Sequence, residues 1–355
     1  MQLLKPIKIK SGLRYKISMN ILIYGAGAIG SHITYCLNHK SNNIALISKS
    51  KYLKNIKKNG INLKIFSNEK LKKKIIIKEN NHIKFYSDLE EINKKFKDNI
   101  DIIFITVKLK DFSLGIIKKI LAVTNNKTSI IPPCTHLPHW WFYGTFRSNL
   151  KNKKLLKQFK IFKKYQNYMI GMTMWVSAKI VKPGYVEVKH IQRGYPIKEI
   201  HKSRRKHALK LRHFFKKKCA SPTVKNIYSE IYIKAINSFA FNLVALQTEL
   251  NNEQLNKNKK ALLSINKIFD EFDKIIIMLG LRIHQSKKSR IIQTLSSTKH
   301  TLSMLYDFQN KKKVEITYLW KTLVLLSNLT KQKIIYTSKI YYKVLKKIKS
   351  NGLKG

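Results

Sequence analysis

The chain has 355 residues, enough for two domains, and an apolar fraction of 44% that suffices for real cores. Lys and Arg number 72 against 18 Asp and Glu, a formal charge of +54, which taken alone points to nucleic acid or an anionic membrane surface. The excess is almost all lysine, runs along the whole chain and accompanies abundant Ile, Asn, Tyr and Phe, so it reads as base-composition drift. A nucleic-acid domain concentrates its basic residues on one segment, and no specific nucleic-acid partner is expected. No run of 18 apolar residues occurs, which excludes a membrane-spanning helix. Cys36, Cys134 and Cys219 stand singly, which excludes a disulfide framework and structural zinc and fits a reducing cytoplasm.

Residues 1–18 contain no acid and precede a second methionine, Met19. One arginine, two serines and no long apolar stretch argue against a targeting sequence, so the segment reads as an upstream start or a loose tail. Ile21 to Tyr24 then reads as a buried strand. It runs into Gly25-Ala26-Gly27-Ala28-Ile29-Gly30, a G-x-G-x-x-G, and Ile29, Ile33 and Leu37 continue at helical spacing. Strand, glycine turn and helix together form a dinucleotide-binding unit. Gly25 allows the tight turn, Gly27 lets the backbone approach a pyrophosphate, and Gly30 lets the helix pack on the strand. The helix N-terminus faces the phosphate charge.

The second strand, Ile44 to Ile47, ends in Ser48-Lys49-Ser50-Lys51. NAD-binding units place Asp or Glu about 20 residues past the glycines to hold the ribose. No acidic residue precedes Glu69, so that clamp is ruled out here. Lys49 and Lys51 suit a 2′-phosphate, and NADP(H) is the expected cofactor.

Lysine-heavy residues 51–100 hold short strands such as Ile75 to Ile77. Asp101 to Thr106 is a buried strand running into Val107-Lys108, which puts Lys108 at the carboxyl edge of an open sheet, where ligands bind. Thr128 to Ile131 is a further strand. Pro132 to Tyr143, rich in aromatics, is expected over the cofactor cleft, and Lys151 to Lys164 as a solvated basic face. Gly171 to Val188, turning at Pro183-Gly184, reads as a hairpin, and Ser203 to Lys218 as a hydrophilic helix. Ser221-Pro222 is the expected boundary between a Rossmann domain (19–222) and a helical domain (223–350). Ile227, Ile231, Ile236, Ala240, Leu243 and Leu246 suit one long helix. Leu262, Ile265, Ile268, Phe272, Ile275 and Leu279 suit another, capped by Gly280.

Two stretches of the helical half carry chemistry. Lys234, Ser238 and Asn242 form one polar line at i, i+4, i+8 on an otherwise apolar helix, which costs stability unless it faces a polar cleft. Ser303-Met-Leu-Tyr-Asp307 precedes Val314-Glu315-Ile316, where Glu315 reads by itself as a surface ion pair with Lys311 to Lys313.

Taken together, these motifs resemble ketopantoate reductase (2-dehydropantoate 2-reductase). That family has the same GAGAIG start, a strand ending T-V-K (here Thr106-Val107-Lys108), a helix reading K-x-x-x-N-x-x-x-N (here Lys234 and Asn242), and a late S-M-L-x-D followed by V-E-I. The resemblance covers residues 19–345. It implies an α/β Rossmann-type N-terminal domain followed by an all-α domain like that of 6-phosphogluconate dehydrogenase. It implies NADPH-dependent reduction of ketopantoate to pantoate for pantothenate and coenzyme A, with a homodimer compatible. Lys234 would donate the proton, Glu315 would bridge substrate, cofactor and Lys234, and Ser238, Asn242 and Ser303 would line the substrate. Gly25 to Gly30, Lys49 and Lys108 would hold the cofactor, Lys49 replacing the usual arginine. Two departures stand out. Ser238 replaces the first asparagine of the helix motif, with Asn237 one place early and on a different face. The family's Q-N-G loop reads Cys134-Thr135-His136. These leave open another 2-oxo acid as substrate, or a basic NADP- or RNA-binding protein without turnover.

Overall fold

A computed structural model of the chain describes residues 18–67, 70–108, 113–132, 137–138, 141, 166–295 and 301–353. The first half runs β1 (Met19–Tyr24), α1 (Ala28–Leu37), β2 (Asn42–Ile47), α2 (Ser50–Asn59), β3 (Ile61–Ser67), β4 (Lys70–Ile77) and β5 (Ile83–Tyr86). It continues through α3 (Lys94–Lys97), β6 (Ile102–Ile105), α4 (Leu114–Ala122) and β7 (Ser129–Ile131). Then come β8 (Ile170–Met172), β9 (Trp175–Lys182), β10 (Tyr185–Gly194), β11 (Ile197–Glu199) and α5 (Arg205–Lys216).

A five-stranded, wholly parallel sheet in the order β5-β2-β1-β6-β7 forms its centre. Parallel strands are buried on both faces, which is why β1 and β6 read as unbroken apolar runs. Ile21, Ile23, Ile102 and Phe104 pack on one side with Ile33 and Leu37 of α1. Leu22, Ile103 and Ile105 pack on the other with Ile120 of α4.

A second sheet, β4-β3-β10-β9, joins distant parts of the chain. The β9–β10 hairpin turns at Pro183-Gly184, where Gly184 takes φ +75°, and β10 lies parallel to β3 with Val186 opposite Leu63. Its apolar face (Leu63, Ile65, Val186, Val188) joins the α1 side of the core. The strand at Ile75 to Ile77 is thereby placed, as the end of β4.

The second half is helical: α6 (Ile227–Thr248), α7 (Asn252–Lys257), α8 (Lys259–Met278), α9 (Lys287–Leu295), α10 (Ser303–Gln309), α11 (Ile316–Thr330) and α12 (Ile335–Ser350). The Asn226 side chain caps α6, accepting from the N–H groups of Tyr228 and Ser229. Gly280 ends α8 at φ +68°, with Gly280 N–H donating to Ile277 O (2.9 Å) and Leu281 N–H to Ile276 O (3.2 Å). Ser221-Pro222 falls in the connection between α5 and α6. Helix α6 is buried along nearly its whole length, and Phe239 anchors it, stacked on Trp320 of α11 and edge-on to Phe272 of α8.

Most of Pro132 to Tyr143, and all of Lys151 to Lys164, lie outside the described residues. Of the former, Trp141 joins the helical core. Its N–H donates to Tyr228 O (2.8 Å) and its ring stacks on Tyr232 (6.0 Å). A buried indole needs both an apolar wall and an acceptor, and the start of α6 offers both.

Phe239→Ala is expected to cost about 4 kcal/mol of unfolding free energy, measured by urea denaturation, because three aromatic rings lose their common packing.

Candidate active site

The glycine loop is built as its motif requires. Gly25 takes φ +121°, and a β-carbon there would meet Thr106 at 3.1 Å. The turn is tied to both neighbouring strands, by Gly25 N–H donating to Ile47 O (3.1 Å) and Thr106 Oγ1 donating to Gly25 O (2.6 Å). A β-carbon on Gly30 would fall 1.9 Å from Gly25 O, so only glycine lets α1 start this close to β1. Gly27 differs. Its nearest neighbour in that direction is Thr106 O at 4.0 Å, and no side chain caps the helix it begins. An open backbone face at an uncapped helix N-terminus fits a pyrophosphate.

At the carboxyl end of β2, Lys49 is the exposed residue that begins α2, and the side chain of Lys51 lies outside the described positions. The acids beyond neighbouring β5 are occupied. Asp88 and Glu90 bind Lys119 (2.8 and 3.2 Å), and Glu91 accepts from the Ser87 amide (2.9 Å).

The helical half meets this edge through α10. Lys108, just past β6, donates to Asp307 at 3.0 Å, an ion pair spanning the two halves. Asn242 of α6 is buried and donates to Ser238 O (2.7 Å), while its Oδ1 accepts from Met304 N–H (3.0 Å). This amide thus fixes the start of α10, which carries Ser303 at an exposed position and Asp307 at a buried one. Ser238 is half-buried.

Lys234 is half-buried as a residue, but its ammonium is enclosed, and burial lowers it to about 8. Among the described residues its partner is the Trp175 ring of β9, 4.6 Å from Nζ to the centroid. The resemblance implies Glu315 beside this ammonium. Glu315 is half-buried just before α11.

One turn earlier, Glu230 is buried, paired with Arg193 of β10 and with His284 Nε2 at 2.7 Å. Burial works against its charge, but the His284 hydrogen bond and the Arg193 guanidinium hold its carboxyl below the usual range. The sequence reading missed Glu230, Arg193 and Trp175. Glu230 alone left a signal, as the i−4 extension of the Lys234 line.

The Rossmann half and the helical half agree with what family comparison shows. The model of the ketopantoate reductase PanE/ApbA family matches residues 21–132, and that of the PanE/ApbA C terminus matches 226–347. The chain belongs to the ketopantoate reductase family. Its members are oxidoreductases acting on 2-oxo acids and using a nicotinamide cofactor. No curated protein matches the chain in sequence.

Among solved structures, one from Ralstonia solanacearum MolK2, provisionally described as a ketopantoate reductase, is 16% identical, with 94% of this chain and 99% of that one covered and a TM-score of 0.74. D-mandelate dehydrogenase with NADH and anilino(oxo)acetate is 19% identical over 94% and 99% of the two chains, with a TM-score of 0.69. A PanE/ApbA family ketopantoate reductase from Ralstonia eutropha JMP134 is 16% identical over 91% and 96%, with a TM-score of 0.65. At these identities the likeness is one of fold. No helix among the described residues is long and apolar enough to cross a membrane, and no group of His, Cys, Asp and Glu among them is placed to hold a metal.

Gly27→Ala is expected to melt like the wild type yet bind nicotinamide dinucleotide at least about tenfold more weakly, a loss of about 1.4 kcal/mol. Gly30→Ala is expected to lower the melting temperature itself. Thermal melts beside a fluorescence titration with NADPH separate the two.

Proposed function

We propose that this ketopantoate reductase family member uses NADPH to reduce 2-dehydropantoate to (R)-pantoate in the cytoplasm, a step toward pantothenate and coenzyme A. The observation that carries the reading is Lys234, an enclosed ammonium on the helix that faces the Rossmann half, with a proton affinity brought near neutrality.

When bound, the cofactor supplies the hydride. The chain's own residues do the rest. The loop from Gly25 to Gly30 seats the pyrophosphate, and Lys49 meets the 2′-phosphate as a point charge. Lys108 stands at the sheet edge beside it. Lys234 holds a proton on Nζ, stabilises the negative charge that develops on the substrate's 2-oxo oxygen, and passes that proton over. Its low proton affinity makes the transfer easier than from an exposed lysine. Ser238 and Ser303 offer hydroxyls to the substrate. Asn242 holds α10 in place with its oxygen, leaving one amide hydrogen for the substrate. Glu315 stands at the N-terminal end of α11 as the acid of the site.

A second reading, reduction of a different 2-oxo acid, is favoured by Ser238, which offers a hydroxyl where an asparagine is usual. A panel of 2-oxo acids under the same assay decides between them.

With ketopantoate, NADPH oxidation by the wild type is expected to be lost about 10²- to 10⁴-fold in kcat on Lys234→Ala, with NADPH affinity unchanged. Absence of turnover in a wild type that binds NADPH would defeat the ketopantoate reading. Because the charged form is the donor, kcat should be full on the acid side and fall as pH rises through about 8. Lys49→Glu should weaken NADPH about tenfold while sparing NADH, since only the former carries a 2′-phosphate.

A further inference from the structure

Four residues close a circuit from α6 to the second sheet and back. Glu230 of α6 binds Arg193 of β10. The Arg193 guanidinium lies over the Trp175 ring of β9 at 5.8 Å, and the same ring carries the Lys234 ammonium at 4.6 Å, one helical turn beyond Glu230. Trp175 is 5% exposed, and its indole N–H is buried without a hydrogen-bond partner among the described residues. Buried indoles normally find an acceptor. This one presents its face to two cations, and those contacts hold the ring in place.

We infer that Trp175 is a positioning residue, holding the Lys234 ammonium charged and fixed in the cleft through the face of its ring. The inference rests on the reading of Lys234 as proton donor. The physical reason is that the ring quadrupole attracts an ammonium but not a neutral amine, so the indole favours the protonated form against the burial that disfavours it. A carboxylate in the same place would bind the proton too tightly to release it.

Several charged groups on the surrounding elements pair with one another. Glu230 is taken by Arg193 and His284, Asp307 of α10 by Lys108, Asp273 of α8 by Arg290 of α9, and Lys347 of α12 by Glu249. Glu315 stands just before α11, half-buried.

The test uses the full chain as Trp175→Leu and Trp175→Phe. Peptide-resolved labelling of Lys234 by acetic anhydride against pH reads its protonation without turnover, and the kcat profile with NADPH and ketopantoate reads it in turnover. Trp175→Leu should lower both midpoints from about 8 by roughly 0.5 to 1 on the pH scale, with NADPH affinity unchanged. Trp175→Phe, which keeps a smaller ring face, should fall between Leu and wild type and covers the case in which Leu fails to fold. A merely structural tryptophan would lower stability and leave the labelling midpoint in place; unmoved midpoints in the folded variants overturn the inference. A shifted labelling midpoint in a chain that does not reduce ketopantoate would sustain the inference for the ammonium and defeat the proposed reaction.

Discussion

Helix α6 is the constraint on which the rest of this molecule depends. Its 22 residues are packed on almost every side, and an aromatic cluster of Phe239, Phe272 and Trp320 joins it to α8 and α11. A helix so enclosed can carry an ammonium only where it meets a polar boundary, because a desolvated unpartnered charge costs several kcal/mol. The line of Glu230, Lys234, Ser238 and Asn242 therefore orients the helix. It turns that line toward β9, β10 and α10, and the apolar remainder toward the other helices. Core packing and the placement of the reactive group are consequences of one choice of rotation about one axis.

Scarcity of acid shapes the site as strongly as packing does. With 18 acidic residues against 72 basic ones, each carboxylate has many cations to choose from, and the buried ones are committed to particular partners. Glu230 takes Arg193 and Asp307 takes Lys108, and both pairs run between the Rossmann half and the helical half. The two halves are thus pinned at two points around the cleft. The Trp175 indole lies beside Lys234, and it stabilises a cation without adding negative charge. The overall positive charge has a different meaning at the site than at the surface, since inside the cleft its effect is set by these few pairings.

What was readable in the linear chain was local. The turn at Gly25 to Gly30 demands glycines within six residues, and the contacts at Thr106 and Gly25 show why. The long helices were readable because each repeats its apolar face many times, and the end of α8 because Gly280 adopts a backbone angle few other residues accept. The hairpin turning at Pro183-Gly184 was readable, but the sheet it joins was not. Its parallel pairing of β3 with β10 joins residues 61–67 to 185–189, and no local periodicity records which strand lies beside which.

The sequence by itself determined the Rossmann start, the absence of a carboxylate beyond β2, and the alignment of Lys234, Ser238 and Asn242 on one helix face, since each follows from neighbours along the chain. Tertiary structure alone decided what those residues touch. It gave the amide of Asn242 to the start of α10, Lys108 to Asp307, and the ammonium of Lys234 to the ring of Trp175. The reason is physical: a side chain's reactivity depends on the dielectric and the charges within a few ångströms, and in this protein those are supplied by segments far away in sequence.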